Sequence, residues 1–382
     1  MIQRRTALVL AAASAAAIAL LSGCSRVSDT IKIGVAQPMS GPLAPLGKDM
    51  LNGVQLAVDE INQTGLEIDG KAVKLQVVSV DDKADAETGK QVAKQLVDAG
   101  VVAVVGHLNS GVSMAAAPIY AEKHIPQLAI STKPEYTQMG LDTTLRLVAN
   151  DAMQSKAMGS YAAGQINGTS YAVLDDATPY GKGLADLATQ EITRQKKNVS
   201  VRKSLNDKTT DFSQLVPELK AAKVDVIVTT LNDFQVVALI DQLAKAGMTD
   251  TKILGGDTIK TDKLVKEALP LTVYATSPII EAREFNAGRD FLKRFSTFTK
   301  GGEPVYGAHY AYDSVYVLVS AIQRIKSTDG KKLLDELKKI DALAPVTNSI
   351  RFRPDGEQYY GSISVYKATA GAWEPVMRSD QW

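Results

Sequence analysis

Hydrophobic positions along the chain switch between two spacings. Residues 31–36 (Ile-Lys-Ile-Gly-Val-Ala) read as a strand. Residues 48–62 place Met50, Leu51, Val54, Ala57, Val58 and Ile61 on one helical face. A strand over 73–80, a helix over 85–99 and a valine-rich run over 101–105 follow. Such a run, apolar on both faces, marks a parallel sheet covered by helices. A helix over 111–123 and a short strand over 127–130 close this series. The rhythm then restarts with helix 151–165, strand 171–174, helix 181–194 and strand 199–203. It continues through 212–222, 224–229, 235–246 and 253–254. A βαβ series that restarts after about 120 residues predicts an α/β protein of two doubly wound, Rossmann-like lobes. After a strand over 272–275, helical patterns cover 284–299, 306–326 and 331–340. The end reads as a hairpin, 349–352 and 359–366 around Pro354-Asp355-Gly356.

The segment before the first strand follows neither spacing. Arg4 and Arg5 precede an apolar stretch over 7–21 and then Leu21-Ser22-Gly23-Cys24. That is the order of an export signal, and its last four residues resemble a bacterial lipobox, whose cysteine is diacylated and becomes the mature N-terminus. Residues 1–23 are then a signal peptide and 24–30 a lipid-anchored tether. The alternatives are an ordinary signal peptide with a chance cysteine, or a transmembrane helix. The apolar run of about 15 residues is short of the roughly 20 that span a bilayer. Ser25 after the cysteine resembles a signal for outer-membrane sorting in a double-membraned cell. Cys24 is the sole cysteine, so the exported fold has no disulfide, cysteine-based catalysis or thiolate metal site. Losing Arg4 and Arg5 takes the formal charge from +1 to −1, which leaves no electrostatic footprint for nucleic acid.

Candidate chemistry gathers at strand ends. Residues 41–48 imitate a phosphate loop, but five residues separate the glycines and Asp49 follows the lysine, so the motif fails. Gly106-His107-Leu108-Asn109-Ser110-Gly111 follows the most apolar strand and opens a helix. Its free N–H groups and the Ser110 hydroxyl could hold a carboxylate or phosphate; equally, Asn109 or Ser110 only caps the helix. Ser131 and Thr132 repeat that position one strand later, as ligand contacts or an ordinary cap. In the second lobe, Tyr180 offers a ring and a hydroxyl for covering a small ligand. Asp257 could pair with an ammonium group or cap the next helix. His107, His124 and His309 are scattered and read as structural or surface residues. No nucleophile–base set, metal cluster or cofactor motif is present, so the chain does not read as an enzyme.

Ile31-Lys32-Ile33-Gly34-Val35, Met39-Ser40-Gly41-Pro42, Asp81-Asp82, Val105-Gly106-His107-Leu108, Tyr180-Gly181-Lys182-Gly183 and Asp211-Phe212-Ser213 resemble the Leu/Ile/Val-binding proteins. These are type I periplasmic substrate-binding proteins of ABC importers, and the similarity runs through nearly the whole mature chain. The resemblance implies a three-crossover hinge between a first lobe of 31–149 plus 278–347 and a second of 150–277 plus 348–382. It implies that Ser110, Ser131 (through its backbone) and Thr132 hold a ligand's carboxylate and share in its ammonium. Tyr180 covers the ligand and Asp257 pairs with the ammonium. Leu46 and Leu231 stand where amino-acid binders often carry aromatic residues, and Asp257 replaces a usual glutamate. A disulfide of some members would need cysteines at Ala84 and Asn109.

The expected function is capture of a small amino acid, branched-chain or related, by hinge closure. The expected protein is a monomer tethered outside the cytoplasm by Cys24, delivering to an ABC permease in the cytoplasmic membrane. The alternatives are a ligand sensor on the same fold, or a binder of amides, urea or aromatic acids.

Overall fold

The computed structural model describes residues 28–379 apart from 167, 267 and 268, so the expected signal peptide and Cys24 lie outside the described residues. The first sheet and its helices comprise β1 (Thr30–Gln37), α1 (Ala44–Thr64), β2 (Leu66–Ile68), β3 (Lys71–Asp81), α2 (Ala86–Asp98), β4 (Ala103–Gly106), α3 (Ser110–Ala121), β5 (Gln127–Ala129) and β6 (Thr144–Arg146). Its order is β2-β3-β1-β4-β5-β6, parallel except that β2 runs against β3.

The second series comprises α4 (Asp151–Tyr161), β7 (Tyr171–Asp175), α5 (Pro179–Arg194), β8 (Val199–Ser204), α6 (Leu215–Ala221), β9 (Val226–Thr229), α7 (Asp233–Lys245), β10 (Lys252–Gly255), α8 (Asp262–Lys266) and β11 (Thr272–Ser277). Every residue of β4, β5, β7 and β9 is buried, as strands covered on both faces by helices must be. In each sheet the strand order reverses beside the first strand of its series, β1 or β7. The loops after β1 and β4, and after β7 and β9, therefore open onto a crevice at the carboxyl ends.

The chain then returns to the first lobe with α9 (Gly288–Phe298), α10 (Ala308–Ile325) and α11 (Gly330–Leu337). Phe291, Phe295, Val315, Leu318 and Leu333 share one core with Ile33, Val54 and Leu128. Helix α10 lies so close on α1 that a Cβ at Gly53 would stand 2.0 Å from the Ala308 carbonyl oxygen. Only glycine permits that approach.

The chain's end differs from the predicted hairpin. Strand β12 (Ala342–Ala344) pairs with β13 (Asn348–Ile350), and β14 (Ser364–Thr369) pairs with β15 (Ala372–Arg378). Between them the Pro354-Asp355-Gly356 turn is closed by a single bridge, Phe352 to Gln358. The Gly356 carbonyl accepts from the Arg146 N–H at 2.8 Å, so the turn docks on β6. Turn chemistry specifies a reversal but not its strand partner, and here β14 completes the second sheet against β11. Order β15-β14-β11-β10-β9-β7-β8 results. Ile350 and Phe352 pack in the first core. Among the described residues, no helix is long and apolar enough to cross a membrane.

Candidate functional site

A cavity of about 30 Å³ lies between the lobes. Leu43, Leu46 and Leu108 to Ser110 line it with Ile130 and Thr132 from the first lobe. Tyr180, Asp257 and Thr258 face them from the second, and Tyr306 from the loop before α10. Four of the five expected ligand residues, Ser110, Thr132, Tyr180 and Asp257, thus surround one space. Leu231, noted from sequence, does not line it and packs in the second-lobe core.

Ser131 is the exception. Its hydroxyl is buried and turned away from the cavity, paired with the Ser113 hydroxyl and donating to the His107 carbonyl at 3.2 Å. Its carbonyl is taken by Arg146. That guanidinium is fully buried; it also donates to the Lys133 carbonyl at 2.8 Å and to Glu357 at 3.1 Å. The forked cation fixes two carbonyls of the 131–133 loop at once, a geometry lysine could not supply.

The neighbouring turn is held from beneath. His107 Nδ1 lies 2.7 Å from the Asp82 carboxylate and Nε2 lies 3.1 Å from the Tyr120 hydroxyl, all three buried. This histidine is structural, as its isolation in sequence suggested. Above it, α3 begins at Ser110, whose hydroxyl accepts from the Lys133 N–H at 3.3 Å. Asn109 occupies the cap position without a side-chain cap bond, and its Oδ1 has no hydrogen-bond partner. The α3 N-terminus faces the cavity with partial positive charge.

The second-lobe wall is a carboxylate held by neutral donors. Asp257, nearly buried, accepts from the Tyr180 hydroxyl at 2.7 Å, Gln154 Nε2 at 3.1 Å and the Tyr306 hydroxyl at 2.5 Å. Tyr180 follows Pro179 in the first turn of α5, which Thr178 caps by accepting from the Gly181 N–H. A Cβ on Gly256 would stand 2.5 Å from the Tyr180 hydroxyl, so glycine there lets the ring reach Asp257. Burial first, and the Asp257 charge second, push both tyrosine hydroxyls well above their ordinary pKa. They remain protonated donors.

Tyr306, Gln154 and Arg146 carried no signal in the sequence. Tyr306 is placed by Asp49 of α1, which accepts from the N–H groups of Val305 at 2.9 Å, Tyr306 at 3.0 Å and Ala308 at 2.9 Å. Burial pushes the Asp49 carboxyl up to about 6, against the pull of those N–H groups. Tyr306 is therefore anchored to the first lobe while its hydroxyl bonds the second.

Comparison with known proteins agrees with this architecture. The model of the family described as "Periplasmic binding protein" matches residues 30–372. The Leu/Ile/Val-binding protein homolog 1 of Brucella abortus is 30% identical over 372 residues, covering 96% of this chain and 97% of the relative. The leucine-, isoleucine-, valine-, threonine-, and alanine-binding protein of Pseudomonas aeruginosa is 28% identical, over 93% and 94% of the two chains. The branched-chain amino acid transporter substrate binding protein LivJ of Streptococcus pneumoniae, solved with isoleucine, superposes with a TM-score of 0.80 at 27% identity. That match covers 91% of this chain and 99% of LivJ. With two α/β lobes around a cleft and a match spanning nearly its whole described length, the chain belongs to the periplasmic binding protein family.

Proposed function

We propose that this protein is the extracytoplasmic solute-capturing component of an ABC importer, and that its ligand is a small amino acid, branched-chain or related. The observation that carries this is the polarity of the cleft. A carboxylate with only neutral partners stands across it from a helix N-terminus and the Ser110 and Thr132 hydroxyls. A zwitterion is complementary to that pair of walls, and its burial is tolerable only when both charges are matched. Ser110 and Thr132 then hold the carboxylate, Asp257 the ammonium, and Tyr180 and Tyr306 cover the ligand. The names of the relatives from Brucella and Pseudomonas, and the isoleucine bound to LivJ, support an aliphatic amino acid.

The cavity of about 30 Å³ has room for about two waters, so an amino acid enters only when the lobes part. A ligand that touches both lobes favours closure by its second-lobe contacts. We further propose that diacylated Cys24 tethers this monomer to a membrane surface outside the cytoplasm.

Mass spectrometry of ligand released from freshly purified protein is the test, followed by calorimetric titration with the compound found. An α-amino acid is expected. Release of an aromatic acid, or calorimetry with no response to any amino acid, would overturn the reading.

A further inference from the structure

The interlobe cavity presents a polar side chain that the capture scheme leaves unused. Asn109 lines the cavity, and its Oδ1 is buried with no hydrogen-bond partner among the described residues. Its backbone has the extended conformation of a cap, φ −78° and ψ 130°, and its carbonyl accepts from the Ser113 N–H at 2.9 Å. An asparagine so placed ordinarily turns its side-chain oxygen onto an N–H of the first helical turn. Asn109 makes no such bond, so its amide does not spend that oxygen on the helix.

The cavity walls hold no donor to spare for it. Tyr180 and Tyr306 give their hydroxyl protons to Asp257, and Thr258 gives its own to the Leu231 carbonyl at 2.9 Å. Ser110 and Thr132 serve the ligand's carboxylate in the scheme above. Leu43, Leu46, Leu108 and Ile130, which complete the first-lobe wall, have no polar side-chain atom. A buried acceptor left without a donor is costly, so closure favours a ligand that brings a donor of its own. In that scheme the ligand's ammonium is held by Asp257 on the opposite wall, and its carboxylate has no hydrogen to give. The donor must then come from the side chain.

We propose that Asn109 selects the ligand's side chain: its Oδ1 accepts a hydrogen bond from a hydroxyl or amide, favouring a small polar amino acid over an apolar one of the same shape. This rests on the amino-acid reading above and narrows it. A site built around a hydrogen bond to its ligand rejects the analogue lacking that group, because its own polar atom is then buried unpaired.

The test is calorimetric titration of the full protein with two pairs of similar shape, threonine against valine and asparagine against leucine. Only the polar member of each pair offers a side-chain donor. In at least one pair it should bind about tenfold more tightly. Asn109→Leu keeps the size of the side chain, removes its oxygen and costs no cap bond. In that variant the preference should vanish or reverse. If valine and leucine bind the unaltered protein at least as tightly as their partners, the inference is overturned whether or not the variant folds, and the amino-acid reading stands. A polar preference that persists in Asn109→Leu overturns it as well. If none of the twenty protein amino acids binds, the amino-acid reading itself fails, and this inference falls with it.

Discussion

The two walls of the cleft are built on different principles. The first-lobe wall consists of short groups, Ser110, Thr132 and the α3 N-terminus, whose positions are fixed from below by the buried Arg146–Glu357 pair and the His107–Asp82 contact. The second-lobe wall is one carboxylate reached by long side chains from α4, α5 and the loop before α10. One wall is braced from within its own lobe. The other takes donors from both lobes, because Tyr306 is anchored to the first lobe through Asp49. Under the proposed capture scheme, contacts to both walls let the ligand favour a closed state.

That contrast can be broken at several points. Arg146→Met removes the support of the first wall and leaves Glu357 partly buried without its cation. The expected loss is about 3–5 kcal/mol of stability, read as a fall in Cm on urea unfolding; an unchanged Cm would mean the wall is not held this way. Asp257→Ala removes the charge from the second wall and should weaken an amino-acid ligand about 100-fold by calorimetry, while a ligand without an amine is spared. Tyr306→Phe removes only the first lobe's donor to that wall. Affinity should fall about fivefold to tenfold, near 1 kcal/mol, with stability nearly unchanged. The smallest effect is expected at the lobe contact itself. A Cβ on Gly111 would stand 3.0 Å from Pro179 across the cleft. Gly111→Val should therefore weaken binding about threefold through hindered closure, and small-angle scattering should show a larger liganded radius of gyration.

Four of the five expected ligand residues line one cavity because each follows a strand in a doubly wound sheet. Ser110 opens α3 after β4, Thr132 follows β5, Tyr180 opens α5 after β7 and Asp257 follows β10. In such a sheet, the carboxyl-end loops must share a crevice. Ser131 occupies the same kind of loop, yet its side chain turns inward, since adjacent residues of an extended segment point to opposite sides. The residues that hold the site were not legible. Tyr306 is 257 positions from the Asp49 that places it, and Gln154 is 103 from Asp257. Glu357 closes on Arg146 from 211 positions away. The terminal hairpin shows the same limit: Pro354-Asp355-Gly356 does reverse the chain, but β14 finds its partner in β11.

By itself the sequence determined the alternation of strands and helices, the restart that makes two lobes, and the strand-end loops that carry the ligand candidates. Hydrophobic spacing is a local property, enforced by burial at every turn of helix or pair of strand residues. Tertiary structure decided which donors reach Asp257 and which cation holds the 131–133 loop. Hydrogen bonds form within about 3 Å and at restricted angles. Only the packed arrangement of distant segments can bring such atoms to that range.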